Sequence, residues 1–249
     1  MRHRAGSLGG MNQNTVLAAT GIVKTYGPTV ALGGVDLGIR AGESVAVMGP
    51  SGSGKTTLLH CLSGILSPDQ GRITLTTDHG PVHVDRLGTE ERARLRREQL
   101  GFVFQQGLLL PELTALENAA LPLMLAGVGR REAEARATGW LVHLGLAGLE
   151  GRRLGEMSGG QVQRVAIARS QVTNAVVTFA DEPTGALDQQ TSSEVLGALL
   201  EATVGRGRTL VMVTHDERVA ARCSRTVRLQ DGQIISDSHP LYVALGGVA

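Results

Sequence analysis

Apolar and polar residues alternate from Val16 to Tyr26 and again from Val30 to Ile39, with the turn signal Gly27-Pro28 between the two runs. A period of two puts successive side chains on opposite faces of a sheet, so the pattern predicts paired strands with one face buried. Ser44 to Met48 is a short apolar run instead, which suits a strand covered on both faces. It leads directly into Gly49-Pro50-Ser51-Gly52-Ser53-Gly54-Lys55-Thr56-Thr57, after which Leu58, Leu59, Leu62 and Ile65 recur at helical spacing. Arg72 to Thr77 and Val82 to Asp85 predict strands around the turn at His79-Gly80-Pro81. Thr89 to Gln99 reads as a solvated helix of mixed charge, followed by a strand from Gly101 to Gln105. Leu108 to Gly160 has helical periodicity and no convincing strand, whereas Val176 to Ala180 and Thr209 to Thr214 return to buried-strand runs. The order implies an α/β domain carrying a helical insert, with no internal repeat.

Composition narrows the classes of function. Across 249 residues, 42% hydrophobic and 19% charged describe a folded chain with a sizeable core. Lys+Arg 24 against Asp+Glu 23 gives a net charge of +1, so a basic surface for bulk nucleic-acid binding is not expected, nor is a nucleic-acid partner. One Trp, two Tyr and three Phe argue against a stacking platform for single strands or an aromatic carbohydrate cleft. Gly 34 is about twice the usual share of roughly 7%, which points to glycine-bearing loops. Cys61 and Cys223 form no CxxC pair and read as free, buried thiols in a reducing compartment. Residues 1–14 read as a flexible tail with no apolar signal-peptide core. The longest apolar stretch, Ala119 to Val128, is interrupted by Pro122 and falls short of the ~20 residues that span a bilayer. Work at a membrane would need a second chain that crosses it.

Gly49 to Thr56 fits G-x-x-x-x-G-K-[ST], in which successive backbone N–H groups and a helix N-terminus enclose phosphate oxygens. In that pattern Lys55 reaches the terminal phosphates and the Thr56 hydroxyl is a Mg²⁺ ligand. The carboxylates Asp181 and Glu182 end a mostly apolar strand, where α/β sheets place ligand-binding groups. Asp181 is positioned to hold Mg²⁺ through its hydration shell, and Glu182 to polarise a water for attack on a γ-phosphate. Taken alone, the pair reads equally well as an exposed acidic loop. Ser158-Gly159-Gly160-Gln161 opens a helical run, either as a plain N-cap or as a second anion nest. His215 follows a buried strand and so emerges at the same sheet edge as Asp181 and Glu182, where a neutral imidazole can serve a γ-phosphate oxygen or the attacking water.

The full set, Gly49 to Thr57, Gln105, Ser158 to Gln161, Asp181-Glu182, Gly185 to Asp188 and Thr214-His215-Asp216, resembles the ABC-transporter ATPases in identity, order and approximate spacing over nearly the whole chain. The resemblance implies a P-loop NTPase core with an antiparallel β-subdomain and a helical subdomain at about residues 109–164, inside one ATPase domain over residues 15–236 followed by a C-terminal tail, residues 237–249. It makes Met157 to Gln161 the family signature and Gln105 the loop glutamine that senses Mg²⁺ and the water. Asp188 becomes a dimer-contact residue, His215 the switch histidine and Tyr26 the aromatic that stacks on adenine. The implied activity is ATP hydrolysis with Mg²⁺, in a two-fold dimer of ATPase copies, coupled to a separate permease at the cytoplasmic face of a membrane. The alternative from another class is a nucleotide-gated regulator of a membrane or cell-wall partner without transport. Gly101 to Gln105, Leu109 to Asn118, Leu121-Pro122 and Ala180 to Asp188 resemble the lipoprotein-release, macrolide-export, bacitracin-resistance and cell-division branch. The chain departs from the family pattern at Leu154, Met157, Ser170-Gln171 and Thr178, which bears on packing and branch rather than on any catalytic group.

Overall fold

The computed structural model describes residues 14–105 and 108–238. In chain order the first elements are β1 (Thr15–Tyr26), β2 (Thr29–Arg40), β3 (Ser44–Met48) and α1 (Lys55–Leu62). Next come β4 (Gln70–Thr77), β5 (Gly80–His83), α2 (Thr89–Gln99) and β6 (Leu100–Phe104). The helices α3 (Ala115–Leu125), α4 (Arg130–His143) and α5 (Gly159–Gln171) precede β7 (Val177–Asp181) and α6 (Gln189–Ala202). The chain closes with β8 (Thr209–Val213), α7 (Glu217–Ala220), β9 (Arg225–Gln230) and β10 (Gln233–Asp237).

Two sheets form. The antiparallel one has the order β2-β1-β4-β5, and the second has the order β10-β9-β3-β8-β7-β6. In the latter, β9, β3, β8, β7 and β6 are parallel, and β10 is an antiparallel edge strand. Parallel strands are stable when both faces are covered. Here Val45, Val47, Phe179, Val211 and Val213 face the antiparallel sheet and α1, packing on Leu17, Ile22, Ile39 and Leu62. Ala180, Leu210 and Met212 face the helices, packing with Leu141, Val165, Ile167 and Leu199. This two-sided burial explains the unbroken apolar runs of β3 and β8, which are buried at every position. It also aligns the C-terminal ends of β3, β7 and β8, so the residues that follow them emerge at one edge. Among the described residues no helix is long and apolar enough to cross a membrane.

Several expectations need correction. The strand expected over Val82 to Asp85 stops at His83 and gives way to a short 3-10 turn, Val84–Arg86. Asp85 there accepts the Ile73 N–H at 2.8 Å, a contact its side chain reaches only outside the ladder. Helix α1 ends at Leu62, leaving Ile65 beyond the helix and exposed rather than on its apolar face. Cys61 is buried, but Cys223 is partly exposed. The Ser170-Gln171 and Thr178 departures form one buried polar network: Gln171 Nε2 donates to Ser170 Oγ (2.9 Å) and to Thr178 Oγ1 (2.8 Å), and Ser170 Oγ donates to the Ile167 carbonyl (2.8 Å). Strand β10 extends to Asp237, whose carboxylate meets the buried Arg225 guanidinium at 2.6 and 2.8 Å. Of the two tails, residues 1–13 and 239–249 lie outside the described residues.

Candidate functional site

The loop after β3 carries the most constrained backbone of the site. A Cβ at Gly49 would lie 2.0 Å from the Leu229 carbonyl oxygen, and one at Gly54 would lie 2.3 Å from that of Ala31. Both positions also have positive φ, 153° and 98°, so side chains are excluded by space as well as by conformation. Helix α1 then begins with Gly54 as its N-cap, with no side-chain cap and no acidic residue in its first turn. By contrast, α3 and α5 are closed by capping boxes, Thr114 with Glu117 and Ser158 with Gln161. The first-turn N–H groups of α1 therefore keep their positive end for an outside anion. Lys55 is buried and its Nζ donates to the Pro50 carbonyl at 2.7 Å, curling the cation back over the loop. Ser53 Oγ, in the same loop, is a buried polar atom without a hydrogen-bond partner among the described residues. These features fit a phosphate chain.

Gly49, Pro50, Ser51, Gly52, Gly54, Lys55, Thr56 and Thr57 line a cavity of about 700 Å³ that Tyr26, Glu182 and His215 complete. Tyr26, at the end of β1, is half exposed. Thr56 Oγ1 donates to Asp181 Oδ1 at 3.4 Å, which brings hydroxyl and carboxylate onto one point next to the loop. Burial lifts the Asp181 carboxyl above the ordinary range, and the Thr56 hydroxyl pulls it partly back. One hydroxyl and one carboxylate beside the phosphate loop suit a divalent cation that completes its shell with phosphate oxygens and water.

Glu182 leaves β7 with φ 45°, in the left-handed region, where a non-glycine residue costs of order 1–3 kcal/mol. Its N–H is fixed to the Val213 carbonyl at 3.0 Å. The turn aims the carboxylate away from the core, where Oε1 and His215 Nδ1 are 3.0 Å apart. A Cβ at Gly185 would meet Gln105 Nε2 at 3.0 Å and Glu182 Oε2 at 3.3 Å, so the Gln105 amide closes on the same point. Gln105 is itself placed by a residue that sequence reasoning missed: buried Gln163 donates from Nε2 to the Phe104 carbonyl at 2.9 Å, fixing the end of β6. A lone glutamine within a helical run leaves no motif to find it by.

Ser158, Gly159, Gly160, Gln161 and Asp188 do not line this cavity. They gather in a second cluster, where a Cβ at Gly159 would contact Leu187 at 3.1 Å and one at Gly160 would strike Thr191 of α6 at 2.5 Å. Asp188 caps α6, accepting from Thr191 N at 2.9 Å and Thr191 Oγ1 at 2.6 Å. The glycine at 160 thus serves close helix packing as well as any anion. The segment from Glu182 to Asp188 joins the two clusters.

A P-loop on a parallel sheet, with a carboxylate and a histidine at the neighbouring strand ends, defines a nucleotide-handling α/β protein. The ABC transporter family model matches residues 32–185, more than half of the sequence, and the chain belongs to that family. It is 46% identical over 203 residues to a lipoprotein-releasing system ATP-binding protein, LolD, of Legionella pneumophila, covering 82% of this chain and 88% of that one. It is 49% identical over 203 residues to the macrolide export ATP-binding/permease protein MacB 1/2 of Paracoccus denitrificans; the match takes in 82% of this chain but only 30% of that relative. Among solved structures, it resembles the dimeric post-hydrolysis state of the ATP-binding cassette MJ0796 bound to ADP and Pi. That likeness has a TM-score of 0.79 at 37% identity and covers 89% of this chain and 97% of the other.

Proposed function

We propose that this chain is the ATP-hydrolysing subunit of an ABC transporter, binding Mg-ATP at a two-fold interface between two copies and driving a separate membrane permease from the cytoplasmic face. The observation that carries the reading is the shared cavity of the phosphate loop, Tyr26, Glu182 and His215. The names of the lipoprotein-releasing and macrolide-export relatives support work in export or lipid and peptide extraction. The same proposal treats residues 15–236 as one ATPase domain, with its helical subdomain at about residues 109–164.

In this reading the loop N–H groups from Gly49 to Thr57 take the phosphate oxygens, and Lys55 exchanges its Pro50 carbonyl for the terminal phosphates. Thr56, Asp181 and Gln105 would hold Mg²⁺, which when bound offsets phosphate charge. Glu182 orients and deprotonates the attacking water, and its left-handed backbone commits the carboxylate to that direction. His215 steadies Glu182 through Nδ1 and so helps to position the attacking water. Ser158, Gly159, Gly160 and Gln161 lie apart from Lys55 and serve the ATP of a second copy, with Asp188 at the seam.

The permease is assigned to the segment from Gln105 to Leu125, of which residues 106 and 107 lie outside the described residues. It exposes Leu108, Leu110, Met124 and Leu125. These are held on a rigid frame, since buried Asn118 bonds Leu110 N, Leu110 O, Leu113 O and Thr114 O, and Arg169 Nη1 donates to the Leu108 carbonyl.

The test is Glu182→Gln, which keeps the shape of the side chain and removes the base. Turnover is expected to fall by about 10²–10⁴-fold, and the protein should accumulate with ATP bound as a dimer by size exclusion with light scattering. Adding Ser158→Arg should return it to monomer. A Glu182→Gln protein that binds ATP tightly yet never dimerises, at high concentration or beside its permease, would overturn the two-copy mechanism.

A further inference from the structure

The residues around the base of Tyr26 form a cluster that the catalytic reading leaves unused. Asp69, just before β4, spreads its carboxylate over the end of β1: Oδ1 accepts Lys24 Nζ at 2.8 Å, and Oδ2 accepts both Thr25 N at 2.7 Å and Thr25 Oγ1 at 2.9 Å. The Asp69 backbone N–H donates to the Val23 carbonyl at 2.8 Å, so the carboxylate is tied to the strand it grips. These bonds hold the Asp69 carboxyl down at about 2, led by the Lys24 contact, so it stays ionised throughout the neutral range. The tethered Lys24 ammonium then sits 5.9 Å from the centre of the Tyr26 ring, within cation–π reach. Tyr26 itself is half exposed and lines the phosphate-loop cavity, and among the described residues its hydroxyl makes no hydrogen bond that would set the ring. Free rotation of such a ring would have to be surrendered on stacking a base, at a cost to affinity.

We infer that Asp69 and Lys24 are positioning residues for nucleotide binding: Asp69 fixes the strand end and the lysine, and the lysine holds the Tyr26 ring ready to stack on a nucleobase. This rests on the reading of Tyr26 as the base platform. A purely structural clamp would contribute to stability in the same way whatever ligand is bound. A positioning clamp acts on ligands that carry a base and acts through Tyr26.

Binding of ATP and of inorganic tripolyphosphate to the full chain, by titration calorimetry, separates these. Tyr26→Ala should weaken ATP by about tenfold or more, from the worth of a stacked base, and leave tripolyphosphate unchanged. Asp69→Ala should weaken ATP by about three- to tenfold through loss of pre-organisation, again without touching tripolyphosphate. Asp69→Asn keeps an acceptor for Thr25 but turns its amide toward Lys24, so it should match Lys24→Met and fall short of Asp69→Ala. Both milder variants preserve the strand-end bonds and so report even where Asp69→Ala folds poorly. In the Tyr26→Ala background, Asp69→Asn should add nothing. Additive losses in that background, or equal losses for tripolyphosphate, would overturn the clamp while leaving the platform intact. An unchanged ATP affinity in Tyr26→Ala would overturn the platform and the clamp with it.

Discussion

Thr178→Val removes one hydroxyl from the middle of β7 and adds a methyl of nearly the same volume, on a strand where Val is otherwise favoured. Thr178 is completely buried, and Gln171, at 2% exposure, has no water to turn to. Its Nε2 carries two hydrogens with two partners, Ser170 Oγ and Thr178 Oγ1. The substitution leaves one of them orphaned, at a cost of about 1–3 kcal/mol, against a gain of a few tenths from strand propensity. A net loss of about 2 kcal/mol in a domain of this size lowers Tm by about 4–8 °C. Gln171→Leu alone leaves Ser170 bonded to the Ile167 carbonyl, and the double variant replaces both ends of the lost bond by apolar groups. The double variant should therefore be more stable than the sum of the single losses, with a coupling of about 1 kcal/mol or more. Thermal and urea unfolding followed by circular dichroism measures all four proteins. Thr178→Val at or above the parent in stability, or strictly additive losses, would refute the account of these three departures as one mutually satisfied network.

Lys55→Ala should abolish tight ATP binding or turnover while leaving the fold intact, because the loop loses the buried cation now curled on Pro50; a folded variant with unchanged ATPase activity would remove the phosphate assignment. Single cysteines at Leu108 and Leu125, both widely exposed, should crosslink to a co-expressed permease. Crosslinks only from other surfaces would return the apolar segment to a packing role.

The phosphate loop is legible in sequence because its chemistry is local: a strand, three glycines and a lysine within a few residues dictate the cradle by themselves. The same holds for β3 and β8, whose two-sided burial is written as unbroken apolar runs. The β9–β10 hairpin carries a clear turn signal but strands that the pattern does not reveal. Its Asp231-Gly232 turn, with φ of 48° and 74°, is the strongest short hairpin signal a chain offers, yet the flanking strands mix arginine and glutamine into the pattern and blunt the alternation. Asp69, Gln163 and the Gln171 network were beyond reach for a different reason. Asp69 reaches back 44 positions to Thr25 and Gln163 reaches 59 to Phe104, while Gln171 bonds Thr178 only seven positions on, across the turn from α5 into β7; in every case a single polar residue carries no periodicity.

The segment from Glu182 to Asp188 shows why roles that sequence assigns one at a time act together. Glu182 turns through a left-handed conformation, its carbonyl accepts the Gly185 N–H at 3.1 Å, and Leu187 N donates to the Thr184 carbonyl at 3.1 Å, so the segment is a run of linked turns with little slack. One end touches Gln105 and His215; the other packs Leu187 against Gly159 and lets Asp188 cap α6. Under the proposed mechanism, a second copy seating on Ser158 and Asp188 would shift the second cluster, and these linked turns would carry the shift over a few bonds to the Glu182 carboxylate. The strain at Glu182 has a use in this setting: a backbone already held at a cost of order 1–3 kcal/mol is sensitive to small changes in its neighbours. On that proposal, turnover by Glu182 would be coupled to assembly through the chain between the two clusters, without need of a longer path through the core.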